Sequence, residues 1–193
     1  GGYRGEYVRF VLETGAMEGL KKIGEKRGVT LNIIMQGVWG ILLGKYTGKE
    51  DVVFGSVVSG RPAELPGVET MVGLFINTIP VRIRFNGRMC FSHLLRQVQA
   101  EALASETHHY HPLAEIQALS QLKKDLVNHI LVYENYPTQA QIKGYKNKSK
   151  KPLPFRVSHV EVFGQTNYDF NIIVGEGDRL EVDFKYNGNW YES

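Results

Sequence analysis

Cysteine is almost missing from this chain. Cys90 stands alone, so no disulfide can close within it and a multi-cysteine zinc site is excluded. Long apolar runs are missing as well: no stretch approaches the ~20 residues that cross a bilayer. The opening Gly1-Gly2-Tyr3-Arg4 lacks the basic, apolar and small-residue order of a leader. Charge of one sign is also scarce. With 23 basic and 20 acidic side chains the formal net charge is +3, which supports solubility and gives no basic stripe for nucleic acid. These absences predict a cytoplasmic chain with no nucleic-acid and no membrane partner. What is present is ordinary globular material. The 193 residues are 42% hydrophobic, too apolar for disorder and enough for one domain or one large lobe of a bigger one.

Periodicity divides the chain into helices and strands. Glu6 to Glu13 alternates, with Val8, Phe10 and Leu12 on one face of a strand. Met17, Leu20 and Ile23 then recur at helical spacing, with Lys21 and Lys22 toward water and Gly28 as the stop. Thr30 is a good N-cap for a helix with the stripe Leu31, Ile34, Val38, Leu42 and Tyr46, stopped by Thr47-Gly48. Asp51 to Val58 is nearly continuously apolar, as a strand covered on both faces would be. Ser59-Gly60-Arg61-Pro62 breaks it, and Phe75 to Phe85 reads as a long strand. A helix with the stripe Phe91, Leu94, Leu95, Val98 and Ala102 follows, then the run His108-His109-Tyr110-His111-Pro112 and a short helix begun by Pro112. His129 to Tyr136 is strand-like, and Lys143 to Lys151, with 5 lysines and no acid, reads as a surface loop. Strands near Val157–Phe163, Tyr168–Val174 and Leu180–Tyr186 close the chain, the last two joined as a hairpin at Gly175-Glu176-Gly177-Asp178. The expected class is α/β, a mixed β-sheet flanked by helices.

Few residues suggest chemistry. His108, His109 and His111 could supply imidazole ligands or a base, but no familiar metal-ligand spacing accompanies them. A structural junction between helices is the simpler reading. Asn77 is more informative. Strand parity puts it with Ile79, Val81 and Ile83 on the interior face, and a buried amide without partners costs about 1–3 kcal/mol. It must therefore pin a neighbouring loop or face a polar cavity. Thr78 and Pro80 point the other way, and the proline places this strand near an edge or a bulge. Ser59, Gly60 and Arg61 sit at the exit of a buried strand, where α/β proteins gather ligand sites, although any loop is rich in such residues. Arg82 and Arg84 share a strand face and read as solvated. Trp39, Phe54, Phe75 and Phe91 read as core.

Longer blocks carry a resemblance. Asp51-Val-Val-Phe-Gly-Ser-Val-Val-Ser-Gly-Arg-Pro62, and then Met71 to Arg82, which follows the pattern "MVGxFINTxPxR", resemble the condensation domains of nonribosomal peptide synthetases. His108 to Ile116 resembles the next block of that family. Asn128 to Pro137 resembles "FVFENYP", and Thr166 to Asn187 is similar to its last strands. Such domains are built from two lobes of chloramphenicol acetyltransferase type, and their catalytic motif HHxxxDG lies in the N-terminal lobe. Here Leu113 and Ala114 stand where that Asp and Gly would follow His108-His109, and the order in the chain is wrong. The resemblance implies that residues 1–193 are the C-terminal subdomain alone, without the lobe that carries the catalytic histidine.

The implied activity of the whole domain joins an acyl or peptidyl thioester to the amino group of an aminoacyl thioester. Both are tethered to peptidyl carrier proteins by phosphopantetheine arms, so no cofactor bound directly by this chain is expected. Carried over residue by residue, Asn77 and Thr78 belong to the block that lines the substrate tunnel. Ser59, Gly60 and Arg61 begin the loop that closes the floor between the lobes. Val132 to Pro137 would be lobe-interface structure. No residue here is assigned a catalytic role. The implied partners are the N-terminal lobe, carrier proteins and adjoining synthetase domains. Self-association of the isolated lobe is a further expectation, because an uncovered apolar face favours dimers. Competing readings are an epimerization or carrier-recruiting relative of the same fold, a standalone acyltransferase using His108 or His109, and a module that only binds carrier proteins.

Overall fold

Three parallel strands form the centre of the sheet, and everything that matters for a site is arranged about their ends. The computed structural model describes residues 2–61, 65–134, 166–177 and 179–191. Pro62, Tyr136, Pro137, the Lys143–Lys151 run, the strand expected at Val157–Phe163 and the turn residue Asp178 lie outside the described residues. The strands are β1 (Gly5–Leu12), β2 (Asp51–Ser59), β3 (Ile76–Arg84), β4 (Ile130–Glu134), β5 (Phe170–Glu176) and β6 (Leu180–Asn187). The helices are α1 (Thr14–Arg27), α2 (Leu31–Thr47), α3 (Phe91–Ser105) and α4 (Leu113–Leu119). The sheet order is β1-β6-β5-β4-β2-β3. Strands β2, β4 and β5 run parallel, while β1, β6 and β3 pair antiparallel with their neighbours. The expected mixed sheet with helices is the observed one. Pro80 sits in β3, an edge strand, where the missing N–H breaks no central ladder.

Local chemistry sets the helix ends where the sequence puts them. Gly28 and Gly48 close α1 and α2 in the left-handed conformation, at φ 67° and 68°, which glycine adopts without steric cost. The Thr30 hydroxyl accepts a hydrogen bond from the Ile33 N–H and caps α2.

The buried side of α2 differs from the expected stripe. Leu31 and Ile34 are buried, but Val38, Leu42 and Tyr46 are exposed, and the interior side continues through Ile33, Gln36, Gly37, Gly40 and Gly44. Close approach is the reason. A Cβ at Gly40 would lie 2.6 Å from the Ile83 side chain, so α2 sits on β3 only because that position has none. In α1, likewise, Met17 and Gly24 are buried whereas Ile23 is exposed.

Ile34, Phe54, Ile83, Leu94, Leu95 and Leu131 are fully buried and form the centre of the core. Each such side chain contributes roughly 1.5–3 kcal/mol of burial, so the core is concentrated where α2 and α3 cover the sheet. That cover lies over β2 and β3, on the far side from β1. Val8 and Phe10 on β1 are consequently exposed, and only Leu12 of that strand packs against the core.

Substituting Gly40→Val is expected to destabilise the chain by about 1–3 kcal/mol through overpacking, whereas Val38→Ala on the exposed side should stay within about 0.5 kcal/mol of the parent. Urea denaturation of both variants checks the pair.

Candidate functional site

The carboxyl ends of β2, β4 and β5 share one end of the sheet, the position where open α/β sheets place ligands. Asn77 pairs with Val58 there. Its face is the one predicted by parity, since Ile79 and Ile83 on the same side are buried. The Asn77 amide nitrogen donates to the His109 carbonyl at 2.8 Å and to the His111 carbonyl at 2.7 Å. Its oxygen accepts the Thr78 N–H at 2.9 Å. Both donors and the acceptor are thereby used, and of the two roles open to this amide the structure shows the pinning of a loop.

That loop joins α3 to α4, and the loop after β2 meets it. The Gly60 N–H donates to the Phe75 carbonyl at 2.7 Å. A Cβ on Gly60 would come within 2.5 Å of that same oxygen and 3.9 Å of the His109 carbonyl, so the close passage requires glycine. Ser59 pairs with Ile76 at the exposed end of β2. Arg61 turns its guanidinium onto the Val68 and Met71 carbonyls, with its carbon 4.1 Å from the centre of the Phe75 ring. This cation–π contact accounts for Phe75, which lies outside the core to which its apolar character assigned it. Asn77 and Gly60 therefore meet the histidine loop, with Ser59 and Arg61 on either side of Gly60. Thr78 does not join them; its methyl faces Gly55 on the other side of the sheet.

The histidine rings do not act as one group. His109 Nε2 lies 3.1 Å from the Ser105 hydroxyl, and burial lowers the pKa of its ring against the opposing pull of Glu106. The His108 and His111 rings are tilted by 32° with centres 5.8 Å apart. Among the described residues, no group of three or more His, Cys, Asp or Glu side chains is placed to hold a metal ion. Arg82 and Arg84 make ion pairs with Asp51 and Glu101 in exposed positions, as solvated strand arginines do.

A polar group that the sequence does not announce completes this end of the sheet. The Tyr133 hydroxyl donates to Glu176, and Lys21 lies 3.1 Å from the other oxygen of that carboxylate. Burial, then the hydrogen bond to Glu176, raises the Tyr133 pKa. Burial pushes the Glu176 carboxyl up, but the Tyr133 and Lys21 contacts together outweigh it and the net direction is down. Tyr133 stands in the "FVFENYP"-like block, the only local signal; in the sequence Glu176 has the look of a turn residue and Lys21 of a solvated one.

At the amino ends of the same strands lies a separate groove of about 1160 Å³, lined by Trp39, Tyr46, Phe170, Phe184, Tyr191 and His129 among others. His129 is 7% exposed. Its Nε2 accepts the Trp39 indole N–H at 3.0 Å, which leaves the proton on Nδ1 to donate to the Asn128 side-chain oxygen. Burial lowers its pKa from 6.5 to about 4.

The unfolded chain therefore takes up that proton more readily than the folded chain between those values. Stability should be full above pH 6.5 and fall as the pH drops toward about 4, by up to about 3 kcal/mol. Stepwise urea titrations should show a flatter pH profile for His129→Gln across that window. At the other end of the sheet, Asn77→Ala is expected to cost about 1–3 kcal/mol and to speed amide hydrogen exchange at residues 108–111, read by mass spectrometry.

The family model described as Condensation domain matches residues 1–193. The chain is 47% identical over 174 residues to bacitracin synthase 3 of Bacillus licheniformis, a match covering 90% of this chain and 3% of that protein. It is 42% identical over 190 residues to gramicidin S synthase 2 of Brevibacillus brevis, covering 98% of this chain and 4% of that protein. Among solved structures, the first condensation domain of the CDA synthetase has a similar fold, with a TM-score of 0.69 at 18% identity over 100% of this chain and 42% of that chain. The chain thus spans a small part of the curated relatives that it matches.

Proposed function

This chain belongs to the condensation-domain family, and on that premise we propose that it forms one wall of the passage in which such a domain joins two carrier-bound substrates. The reaction is attack by the amino group of an aminoacyl thioester on an acyl or peptidyl thioester, which forms the amide and releases the donor carrier's thiol. The phosphopantetheine arms belong to the carrier proteins and enter with the substrates. The general base resides on the companion N-terminal lobe, so residues 1–193 act as the C-terminal subdomain.

The observation that carries this reading is the convergence of the Ser59-Gly60-Arg61 loop with Asn77 and the histidine loop at the carboxyl ends of the parallel strands. Two loops each fixed to the start of β3 through backbone carbonyls make a firm wall. A firm wall can hold two thioesters in a reactive arrangement and exclude water, and the rate gain from such positioning is lost when the geometry shifts by about 1 Å. The rings of His109 and His129 are engaged with Ser105 and with Trp39 and Asn128.

Two assays with loaded donor and acceptor carrier proteins test this reading. Residues 1–193 alone are expected to form no amide above the hydrolysis background. In the intact condensation domain, Asn77→Ala is expected to lower turnover by about 10- to 100-fold through the displaced loop. Turnover by the lone chain, or an intact domain indifferent to Asn77→Ala, would overturn the reading.

A further inference from the structure

We propose that Tyr133 and Glu176 are positioning residues for the condensation step: through Lys21 they hold α1 across the carboxyl end of the sheet, as the bank of the passage opposite the histidine loop. The proposal rests on the reading of this chain as one wall of that passage.

The path of α1 follows from its two ends. Strand β1 runs parallel to β5, since both pair antiparallel with β6, and its last residue Leu12 is level with Leu180. Leu180 in turn pairs with Glu176 at the end of β5, so α1 begins at the carboxyl end. It also finishes there, because α2 descends the sheet from that end. Gln36 donates to Ser56 in the carboxyl half of β2, and Gly44, further along α2, sits against Phe85, whose N–H bonds Glu50 just before β2. Helix α1 therefore crosses from β1 toward β2, and in the order β1-β6-β5-β4-β2 the strand halfway along is β5. Lys21, halfway along the helix, reaches Glu176 at the tip of that strand, at 3.1 Å.

Little else grips this helix. Of its 14 residues only Met17 and Gly24 are buried. Lys21 lies four residues after one and three before the other, on the same stripe, so its ammonium is the polar hold on the side that faces the sheet. Tyr133 sets where the carboxylate points. Its hydroxyl donates to one Glu176 oxygen and Lys21 takes the other.

Tyr133 also belongs to the same row as Asn77. Ser56 pairs with Leu131 and Val58 with Asn77, which puts Tyr133, two residues past Leu131, level with Val58 on the same face. Asn77 and Tyr133 thus stand two strand spacings apart, roughly 10 Å, with half-buried Val58 between them. One ties down the histidine loop and the other ties down α1. Two held elements facing each other across that gap give the passage a fixed width, and the alignment of two thioesters depends on that width.

Kinetics of the intact condensation domain with loaded donor and acceptor carrier proteins test this, with Asn77→Ala run alongside. An ion pair this exposed adds little to stability, so Tyr133→Phe, which keeps the ring, and Lys21→Met, which keeps the stem, should stay folded by circular dichroism. Each is expected to lower kcat by about 10-fold with KM for either carrier within about 2-fold of the parent, since alignment is what is lost. The double variant should fall no further than either single one, and Lys21→Arg should restore most of the parent kcat. Amide hydrogen exchange in α1 should quicken in both single variants while residues 108–111 keep the parent rate. Parent kcat in Tyr133→Phe, independent losses of kcat that add in the double variant, or unchanged exchange in α1 would each overturn the proposal. If Asn77→Ala lowers turnover and Tyr133→Phe does not, the hold on α1 alone fails as a positioning device; if neither does, the wall reading fails with it.

Discussion

Both hydrogens of one amide nitrogen, that of Asn77, are given to two carbonyls two residues apart, His109 and His111, and the arrangement of the sheet's carboxyl end depends on that pairing. A backbone turn that presents two carbonyls to one point needs two donors from one side chain. Aspartate offers none when ionised, and threonine or serine offers one. The third contact, from the Thr78 N–H to the Asn77 oxygen, fixes which way the amide points. The position is thus committed on every polar atom, which is what lets a polar group sit on the interior side of a strand whose neighbours are Ile79 and Ile83.

Close approach without side chains performs the complementary task. At Gly60 the chain passes the Phe75 carbonyl and the loop that Asn77 holds, so the exit of β2, the entry of β3 and the turn after α3 are fixed to one another. At Gly40 the same device seats α2 on Ile83. Without that contact the edge strand β3 would be covered by α3 and α4 alone, and the strand that carries Asn77 would be less firmly placed. Core packing and loop geometry meet in β3.

This explains which parts of the molecule could be read from sequence. The strand parity of Asn77 was legible because a period of two residues is strict and Ile79, Val81 and Ile83 report the inner side directly. The caps at Gly28, Thr30 and Gly48 were legible because capping is local chemistry. The inner side of α2 was not. Apolar periodicity follows side chains, whereas this helix packs where Gly37, Gly40 and Gly44 have none, and its apolar Val38, Leu42 and Tyr46 face outward. The alternation in β1 was real but uninformative, since a strand beyond the helix layer alternates without being covered. The partners of Arg61 were not legible, because nothing in its neighbourhood announces that carbonyls seven and ten residues later return to it. The Tyr133–Glu176–Lys21 group joins three distant segments, and no local pattern encodes such a meeting.

The state of His129, His109 and His111 shows what these three residues contribute. A general base needs an accessible ring nitrogen with a free lone pair and a pKa near the working pH. His129 fails on both counts: its acceptor nitrogen is taken by Trp39, and burial holds its pKa at about 4. His109 is half-buried against Ser105, and its contribution to the site is its backbone oxygen rather than its ring. His111 likewise enters through its carbonyl. A sequence rich in histidine at one place thus spends two of them as backbone anchors. The Asn77 amide, the carbonyls it holds and the clamped Arg61 guanidinium can hold and orient, and none of these three kinds of group is set to move a proton. That is in keeping with the proposed role of a wall that positions substrates.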